Sequence, residues 1–286
     1  MSRVWFVTGS SRGLGRAVVR AACEAGDKVV ATARRPEHLT DLVTEYGEQV
    51  LALALDVTDA AGVAASITAA REHFGRIDVV VNNAGYANVA PIETGDDADF
   101  RAQFETNFFG VYTVSKAAIP VLRDQGAGLI IQISSMGGRV GGSAGIASYQ
   151  AAKFAIDGFS RVLQSETAPF GIRVVVVEPS GFATDWAGSS MEIGDIPDGY
   201  GDTVGAMNAI RRSEAVSAGD PARAAEILVR LSRHTDLPYH LPLGVIAVDG
   251  AIRQDEELLA TDSRWAAVGR SADFGQPYPV AFPSER

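Results

Sequence analysis

The sequence predicts an α/β fold in which a parallel sheet is covered by helices on both faces. Short runs rich in β-branched residues alternate with longer helical patterns, as in βαβ units joined by right-handed crossovers. Most of these runs are continuously apolar, as expected for strands buried on both sides. The chain has 286 residues, 47% of them hydrophobic, which suits one large core. No internal repeat or linker indicates a second domain.

The individual elements follow from this alternation. The predicted strands are Val4–Val7, Lys28–Ala33, Val50–Leu55, Asp78–Val81, Leu129–Ile133, Arg173–Val177 and Val245–Val248. The predicted helices are Leu14–Ala25, Glu37–Tyr46, Ala60–Phe74, Asp97–Arg123, Ser148–Pro169 and Pro221–His234. Asp220 and Pro221 form a strong helix start, with aspartate as N-cap and proline at the first position. We expect one domain over residues 1–250, with a lid at about 182–217 and an extension of the same domain over 251–286.

Composition and charge restrict the partners of the chain. It has 25 basic and 35 acidic residues and a net charge of −10, which disfavours nucleic acid and anionic membranes. The single cysteine, Cys23, excludes an intrachain disulfide and a cysteine-rich metal cluster. The four histidines lack the helical spacing of familiar metal motifs. Because no apolar stretch resembles a membrane span or a signal sequence, we expect a soluble, cytoplasmic protein without a metal.

A glycine-rich loop from Thr8 to Gly15 follows the first predicted strand and opens the first predicted helix. Gly9 permits the sharp turn, Gly13 lets the backbone approach a pyrophosphate, and Gly15 allows close packing of the helix on the sheet. The amides of the helix N-terminus are then available to phosphates. A tight turn without a ligand is the alternative, but the position of the loop favours a dinucleotide. The predicted cofactor-binding residues here are Gly9, Ser11, Arg12, Gly13, Leu14 and Gly15.

The end of the second predicted strand indicates which dinucleotide binds. NAD-binding chains usually have an acidic residue there that binds the ribose hydroxyls, whereas this chain has Ala33 and Arg34. Arg34 and Arg12 can clamp a 2′-phosphate, although two solvated surface arginines are the alternative. We expect NADP(H) as the cofactor, with NAD(H) as the second possibility.

The ends of the next two strands supply further candidate cofactor contacts. Asp56, followed by Val57, can accept a hydrogen bond from an adenine amino group or cap the next helix, and both roles remain open. Asn83, Ala84 and Gly85 close the fourth strand at the edge where ligands bind in open α/β sheets. Their alternative role is that of an ordinary turn.

A tyrosine and a lysine one helical turn apart form the candidate catalytic centre. Tyr149 and Lys153 share a helix face, and Ser134 and Ser135 end the preceding strand. A phenol has a pKa near ~10, and a nearby ammonium together with an oxidised nicotinamide lowers it toward the working range. Lys153 can also bind the nicotinamide ribose, and a serine hydroxyl can hold the substrate oxygen. Asn107 can hold a water against the lysine, or its role is structural; an incidental Tyr149/Lys153 pair is the general alternative.

Together these motifs resemble those of the short-chain dehydrogenase/reductase family. The motifs are Thr8-Gly9-x-x-x-Gly13-x-Gly15, Asn82-Asn83-Ala84-Gly85, Asn107, Ser135, Tyr149-x-x-x-Lys153 and Glu178-Pro179-Ser180-Gly181, within residues 3–250. The resemblance implies a Rossmann-type doubly wound sheet of seven parallel strands in the order 3-2-1-4-5-6-7. It also implies an Asn-Ser-Tyr-Lys catalytic tetrad and a homodimer or homotetramer built on the two long helices. Nicotinamide contacts are implied for Pro179, Gly181 and Thr184.

One departure from the family pattern concerns the catalytic serine. Thirteen residues separate Ser135 from Tyr149, where the family usually has twelve, so that Ser134 and Ser135 remain alternatives, with Ser135 favoured. The lid residues Trp186, Met191, Tyr200 and Met207 either line a substrate pocket or pack on one another.

The expected function is that of an NADP(H)-dependent oxidoreductase. It interconverts a ketone or aldehyde and the corresponding alcohol, secondary for a ketone, in a small molecule, with Tyr149 as the acid/base. A catalytically silent NADP(H)-binding sensor or scaffold is the alternative. An epimerase or dehydratase of the same superfamily is disfavoured, because the chain lacks room for a substantial C-terminal substrate domain.

Overall fold

The computed structural model describes residues 2–184, 191–212 and 219–283. Its centre is a seven-stranded parallel sheet in the order β3-β2-β1-β4-β5-β6-β7, which confirms the predicted fold and strand order. The strands are β1 (Val4–Val7), β2 (Lys28–Ala33), β3 (Val50–Ala54), β4 (Val79–Asn82), β5 (Gly128–Ile133), β6 (Ile172–Pro179) and β7 (His240–Leu243). The strand order reverses between β1 and β4, and the carboxyl ends of these strands border a crevice suited to a ligand.

Helices cover both faces of the sheet. The described residues contain α1 (Gly13–Glu24), α2 (Thr40–Tyr46), α3 (Ala60–Phe74), α4 (Asp97–Phe104), α5 (Gly110–Gln125), α6 (Ala147–Thr167), α7 (Ala206–Arg211), α8 (Pro221–Ser232) and α9 (Val245–Arg270). One hydrophobic cluster joins the sheet to α1, α2 and α8, and a second joins it to α3, α5 and α6. As expected, Asp220 caps α8 and Pro221 is its first residue. None of the helices in the described ranges is long and apolar enough to cross a membrane.

The predicted position of the last strand is wrong. Val245–Val248 forms the first turn of α9, and the strand that pairs with β6 is His240–Leu243. This strand contains Pro242, which has no amide hydrogen to donate. Proline is tolerated there because β7 is an edge strand of the sheet. A short apolar run does not by itself distinguish a strand from a helix, and Gly244, with φ of 95°, separates the two elements.

The long helix predicted over Asp97–Arg123 is interrupted. A π-helical segment, Glu105–Phe109, lies between α4 and α5. Such segments are frequent at functional sites because they change the direction of nearby side chains. Asn107 lies within this segment and is fully buried.

Candidate active site

A cleft of about 430 Å³ lies at the carboxyl ends of β1, β4, β5 and β6. It brings together nearly all of the residues that the sequence predicts for cofactor binding and catalysis. The predicted residues that line it are Gly9, Ser11, Arg12, Gly13, Leu14, Arg34, Asp56, Val57, Asn83, Ala84, Gly85, Ser135, Tyr149, Lys153, Pro179, Gly181 and Thr184. Gly15 and Asn107 do not line the cleft but pack against residues that do.

Several lining residues were missed by the sequence analysis. They include Tyr86, Thr106, Ile146, Gln150 and Arg211. Tyr86 directly follows the Asn82–Gly85 motif, and this position is a signal that could have identified it. Thr106 and Gln150 are likewise adjacent to the predicted residues Asn107 and Tyr149. Arg211 carries no comparable sequence signal, because its place depends on how separate loops pack.

The glycines of the first loop serve different purposes. Gly9 and Gly13 have φ values of 67° and 57°, in the left-handed region that favours glycine. A Cβ on Gly15 would lie 2.3 Å from Asn83 Nδ2 and 2.5 Å from the carbonyl oxygen of Gly9. Gly15 therefore lets α1 approach the sheet, as expected. Among the described residues, a Cβ on Gly13 would meet nothing nearer than Thr184, at 3.6 Å, so these residues leave space on the cleft side of the loop.

The start of α1 is suited to an anion. Arg12, the N-cap residue, makes no side-chain capping hydrogen bond, and the first turn contains no acidic residue. Its amides and the helix dipole therefore remain available to phosphate. Arg12 and Arg34 are exposed, and within the described ranges neither forms an ion pair. Buried Ala33 places no carboxylate beside them, so the residues at this end of the cleft fit a dinucleotide that carries a 2′-phosphate.

Asp56 shapes a turn rather than capping a helix. Its Oδ1 accepts hydrogen bonds from the amide of Thr58 at 3.0 Å and from the Thr58 hydroxyl at 2.8 Å. The N-cap of α3 is Asp59, which accepts from the amide of Ala61 at 3.0 Å. The helix-capping alternative for Asp56 is therefore wrong, and the contact with an adenine stays a prediction.

Asn83 joins two loops that border the cleft. Its Nδ2 donates to the carbonyl oxygens of Thr8 and Gly9, at 2.9 and 3.1 Å. The Thr8 hydroxyl in turn accepts from the amides of Asn83 and Ala84, at 2.9 and 3.0 Å. The Asn83 side chain thus fixes the glycine-rich loop against the end of β4, and direct contact with a ligand stays a prediction.

Tyr149, Lys153 and Ser135 meet in one buried cluster. Tyr149 is 7% exposed and Lys153 is 3% exposed. Lys153 Nζ lies 5.5 Å from the centre of the Tyr149 ring and donates to the carbonyl oxygen of Ile133 at 2.6 Å. The Ser135 hydroxyl interacts with Tyr149 and opposes part of the rise in its pKa, and it accepts from the Gly137 amide at 3.0 Å. One helix thus supplies the tyrosine and the lysine, and the end of β5 supplies the serine.

The two neighbouring serines have different partners. The Ser134 hydroxyl donates to the carbonyl oxygen of Lys153 at 3.1 Å, which ties the end of β5 to α6. Of these two serines, Ser135 is the one whose hydroxyl influences the pKa of the tyrosine. Of the two alternatives, Ser135 therefore has the geometry of a group that acts with Tyr149.

Burial controls the protonation of the tyrosine and the lysine. Burial raises the pKa of Tyr149 to about 12, and the hydrogen bond with Ser135 opposes this only in part. Burial lowers the pKa of Lys153 to about 7. Because each ionised form loses its hydration in the interior, the protein groups alone do not bring the pKa of the phenol toward neutrality.

Asn107 fixes the backbone of Tyr86, and its contact with a water stays a prediction. Its Oδ1 accepts from the amide of Tyr86 at 3.0 Å, and its Nδ2 donates to the carbonyl oxygen of Tyr86 at 2.8 Å. It also lies near the catalytic candidates. A Cβ on Gly85 would lie 2.5 Å from Asn107 Oδ1 and 3.7 Å from Lys153 Nζ, so both side chains border the same glycine.

Described residues of the predicted lid pack in a cluster beside Tyr149. Met191 and Val204 are buried in a small cluster with Ile146 and Tyr149, and Tyr200 packs against this cluster. Met207 is half-buried on α7, and Trp186 lies outside the described residues. The described lid residues thus pack on one another and also against the catalytic tyrosine candidate.

The doubly wound sheet, the glycine-rich loop and the Ser-Tyr-Lys cluster define a Rossmann-type dehydrogenase. A family model described as short chain dehydrogenase matches residues 3–192. The chain belongs to the short-chain dehydrogenase family and is an oxidoreductase of that family.

Known proteins resemble this chain over most of its length. The chain is 48% identical over 267 residues to oxidoreductase BOA17 of Botryotinia fuckeliana, with 93% of this chain and 97% of the relative covered. A solved short-chain dehydrogenase from Streptomyces avermitilis is 36% identical, with a TM-score of 0.88 and coverage of 95% and 98%. A solved alcohol dehydrogenase from Thermococcus sibiricus, complexed with 5-hydroxy-NADP, is 26% identical, with a TM-score of 0.70 and coverage of 85% and 96%.

Proposed function

We propose that the protein is an NADP(H)-dependent oxidoreductase that interconverts a ketone or aldehyde and an alcohol in a small-molecule substrate. The observation that carries the proposal is the buried cluster of Ser135, Tyr149 and Lys153 in the wall of the cleft. The N-terminus of α1, free of acidic residues in its first turn, borders the same cleft. The family likeness supports a nicotinamide dinucleotide, since the similar alcohol dehydrogenase was solved with 5-hydroxy-NADP.

The chain supplies the proton chemistry of this reaction. When bound, the reduced nicotinamide supplies the hydride, and the oxidised one accepts it and adds a positive charge. Ser135 and Tyr149, which line the same cleft, hold the substrate oxygen between their hydroxyls. In reduction, Tyr149 Oη gives its proton to that oxygen, and burial keeps the phenol protonated for this step. In oxidation, Tyr149 takes the proton back.

Lys153 acts on both the tyrosine and the cofactor. Its ammonium has three donors, of which one is used by the carbonyl oxygen of Ile133. The remaining donors serve the nicotinamide ribose and a water that Asn107 helps to hold. With its Nζ 5.5 Å from the tyrosine ring centre, the protonated lysine favours the phenolate needed for oxidation.

Replacement of Tyr149 tests the catalytic role. NADPH oxidation is measured with a panel of ketones and aldehydes, and Tyr149→Phe is expected to lower kcat by about 10²–10⁴-fold, the usual contribution of a positioned acid/base. NADPH binding, followed by fluorescence, stays intact. Tyr46→Phe is the control, because this tyrosine does not line the cleft. Full turnover by Tyr149→Phe rules out the mechanism, whereas tight NADPH binding by the wild type without turnover of any carbonyl or alcohol favours a sensor or scaffold.

The preference for NADP(H) rests on Arg12, Arg34 and the absence of a carboxylate at Ala33. Arg34→Asp is expected to raise the dissociation constant of NADPH about tenfold or more, since a charge-assisted contact is replaced by repulsion. Binding of NADH is unchanged or tighter. Arg35→Asp is the matched control, because it alters an adjacent exposed arginine that does not line the cleft. An unchanged ratio of NADPH to NADH affinity in Arg34→Asp contradicts the assignment.

The proposal includes a cytoplasmic homodimer or homotetramer built on α5 and α6. Tyr112 on α5 and Phe154 and Val162 on α6 are exposed by 38%, 44% and 56%, which supports an apolar contact between subunits. Light scattering of the purified protein measures the subunit number. A monomer at micromolar concentration contradicts this part of the proposal.

A further inference from the structure

One arginine in the cleft has no part in the proposed proton chemistry. Arg211, the last residue of α7, is 7% exposed and lines the cleft together with Ser143. Its Nε and Nη2 donate to Ser143 Oγ, at 3.3 and 3.0 Å, and Nη2 also binds the carbonyl oxygen of Ala144. These partners lie in the loop between Ser135 and Tyr149, so Arg211 is anchored to the segment that carries the proposed catalytic hydroxyls.

The anchoring contacts leave one nitrogen of the guanidinium unused. Among the described residues, Arg211 Nη1 is buried and has no hydrogen-bond partner. The described residues that line the cleft include a single carboxylate, Asp56, and it belongs to the turn that follows β3. Burial lowers the pKa of Arg211, and no anion among the described residues opposes this effect. A buried guanidinium without a counter-ion is costly, and a ligand that enters the cleft can supply one.

An internal partner is the competing explanation. Asn208, three residues earlier on α7, also has a buried side-chain oxygen without a hydrogen-bond partner, and residues at this spacing share a helix face. However, the two groups do not hydrogen-bond each other, and Asn208 does not line the cleft. An amide oxygen also leaves the charge of Arg211 uncompensated.

We propose that Arg211 binds a carboxylate of the substrate, so that the preferred substrates are oxo acids and the corresponding hydroxy acids rather than neutral carbonyl compounds. This inference rests on the proposed function, because it assigns the substrate class of the same cleft. Charge-assisted hydrogen bonds from arginine to a carboxylate are short and directional. With the carboxylate on Arg211 and the carbonyl oxygen between Ser135 and Tyr149, the substrate is held at two points, which fixes its orientation.

The test compares oxo acids with their methyl esters. The quantity measured is kcat/KM for NADPH oxidation, over a series in which the number of carbons between the ketone and the acid group varies. The wild type is expected to prefer the acids. Arg211→Gln is expected to lower kcat/KM for the acids about 10- to 100-fold, as for loss of a hydrogen bond to a charged group, chiefly through KM. Loss of the bonds to Ser143 and Ala144 affects acids and esters alike, so the acid-to-ester ratio of kcat/KM is the readout and is expected to fall in Arg211→Gln. Arg211→Lys, which keeps the charge but not the planar fork, lies between.

A neighbouring arginine provides the control. Arg212→Gln removes the same charge from an adjacent, exposed position and is expected to leave the acid-to-ester ratio unchanged. Equal use of acids and esters by the wild type, or a ratio that Arg211→Gln does not alter, overturns the inference. If Arg211 served only to hold α7 in place, the variant would melt at a lower temperature without a change in this ratio.

Failure of the carboxylate site can be distinguished from failure of the proposed function. If no carbonyl compound in either series is reduced, the proposed function fails. The carboxylate site is then tested by calorimetric titration of the NADPH-bound protein with the same oxo acids. Binding by the wild type and not by Arg211→Gln supports the site, and absence of binding by the wild type overturns it.

Discussion

Replacement of Gly15 by alanine tests the packing on which the cofactor loop depends. The added Cβ would lie 2.3 Å from Asn83 Nδ2 and 2.5 Å from the carbonyl oxygen of Gly9. Asn83 cannot move away without losing its hydrogen bonds to Thr8 and Gly9. The backbone of Gly9 is tightly packed as well, since a Cβ added to Gly9 would lie 2.9 Å from Ala84 Cα. Overpacking of this kind costs about 1–3 kcal/mol.

The melting temperature measures this cost. A loss of about 1–3 kcal/mol lowers Tm by roughly 2–8 °C in a chain of this size. The dissociation constant of NADPH, measured by fluorescence, is expected to rise as well, since the clash displaces the loop and the N-terminus of α1. Thermal scans of the wild type and Gly15→Ala at one protein concentration give the change in Tm directly.

A second glycine gives the opposite expectation. A Cβ on Gly250, inside α9, would make only ordinary contacts, at 3.6 Å to Met136 and 3.7 Å to Val140. Gly250→Ala is therefore expected to stabilise the protein by about 0.5–1 kcal/mol, through helix propensity. If Gly15→Ala melts at or above the wild-type temperature, or if both variants change Tm in the same direction, the steric reasoning is refuted.

Two further expectations concern buried charges. Asp27→Ala is expected to lower the free energy of unfolding by about 3–5 kcal/mol, because fully buried Asp27 accepts from Trp5 Nε1 and from Arg233. Urea unfolding measures this loss. The control is Glu45→Ala, which removes an exposed ion pair and should change the free energy of unfolding by less than about 1 kcal/mol. Similar losses in both variants would contradict the argument. In the folded protein, burial lowers the pKa of Lys153 from 10.5 to about 7. Between these two pH values the unfolded chain therefore binds more protons than the folded one. The stability of the ligand-free protein is then expected to rise with pH across this window. Lys153→Met should lose this rise in scans of Tm against pH, and an unchanged profile would show that Lys153 is not its source.

Most of the sheet could be predicted because its strands are buried on both sides. The bounds of Val4–Val7 and Lys28–Ala33 agree fully with the structure, since continuous β-branched runs between turns leave few alternatives. The last strand could not be located in this way. His240–Leu243 is a short edge strand that contains a proline, whereas the more strand-like run Val245–Val248 begins a helix.

The site was predictable to the extent that its residues follow strand ends. Gly9, Asn83 and Ser135 lie within two residues of the ends of β1, β4 and β5. These strands are successive neighbours in the sheet, so parallel topology alone brings the three residues to one edge. The contribution of Arg211 could not be predicted. Its partner Ser143 is 68 residues away in the sequence, and the contact depends on how α7 packs over the loop before α6.

The distribution of charge in the cleft is opposite to that of the whole chain. The protein carries a net charge of −10, yet the described residues that line the cleft include four cationic side chains, those of Arg12, Arg34, Lys153 and Arg211, and one carboxylate, Asp56. A locally positive cleft in an acidic protein attracts small anions, while the surrounding surface repels large polyanions. In the proposed reaction, Arg12 and Arg34 would bind the 2′-phosphate of NADP(H), and Arg211 would bind the carboxylate of an oxo acid. Selectivity between substrates would then depend on the position of the arginine that binds each anion. Hydrophobic contacts alone would not suffice, because they discriminate similar substrates only weakly.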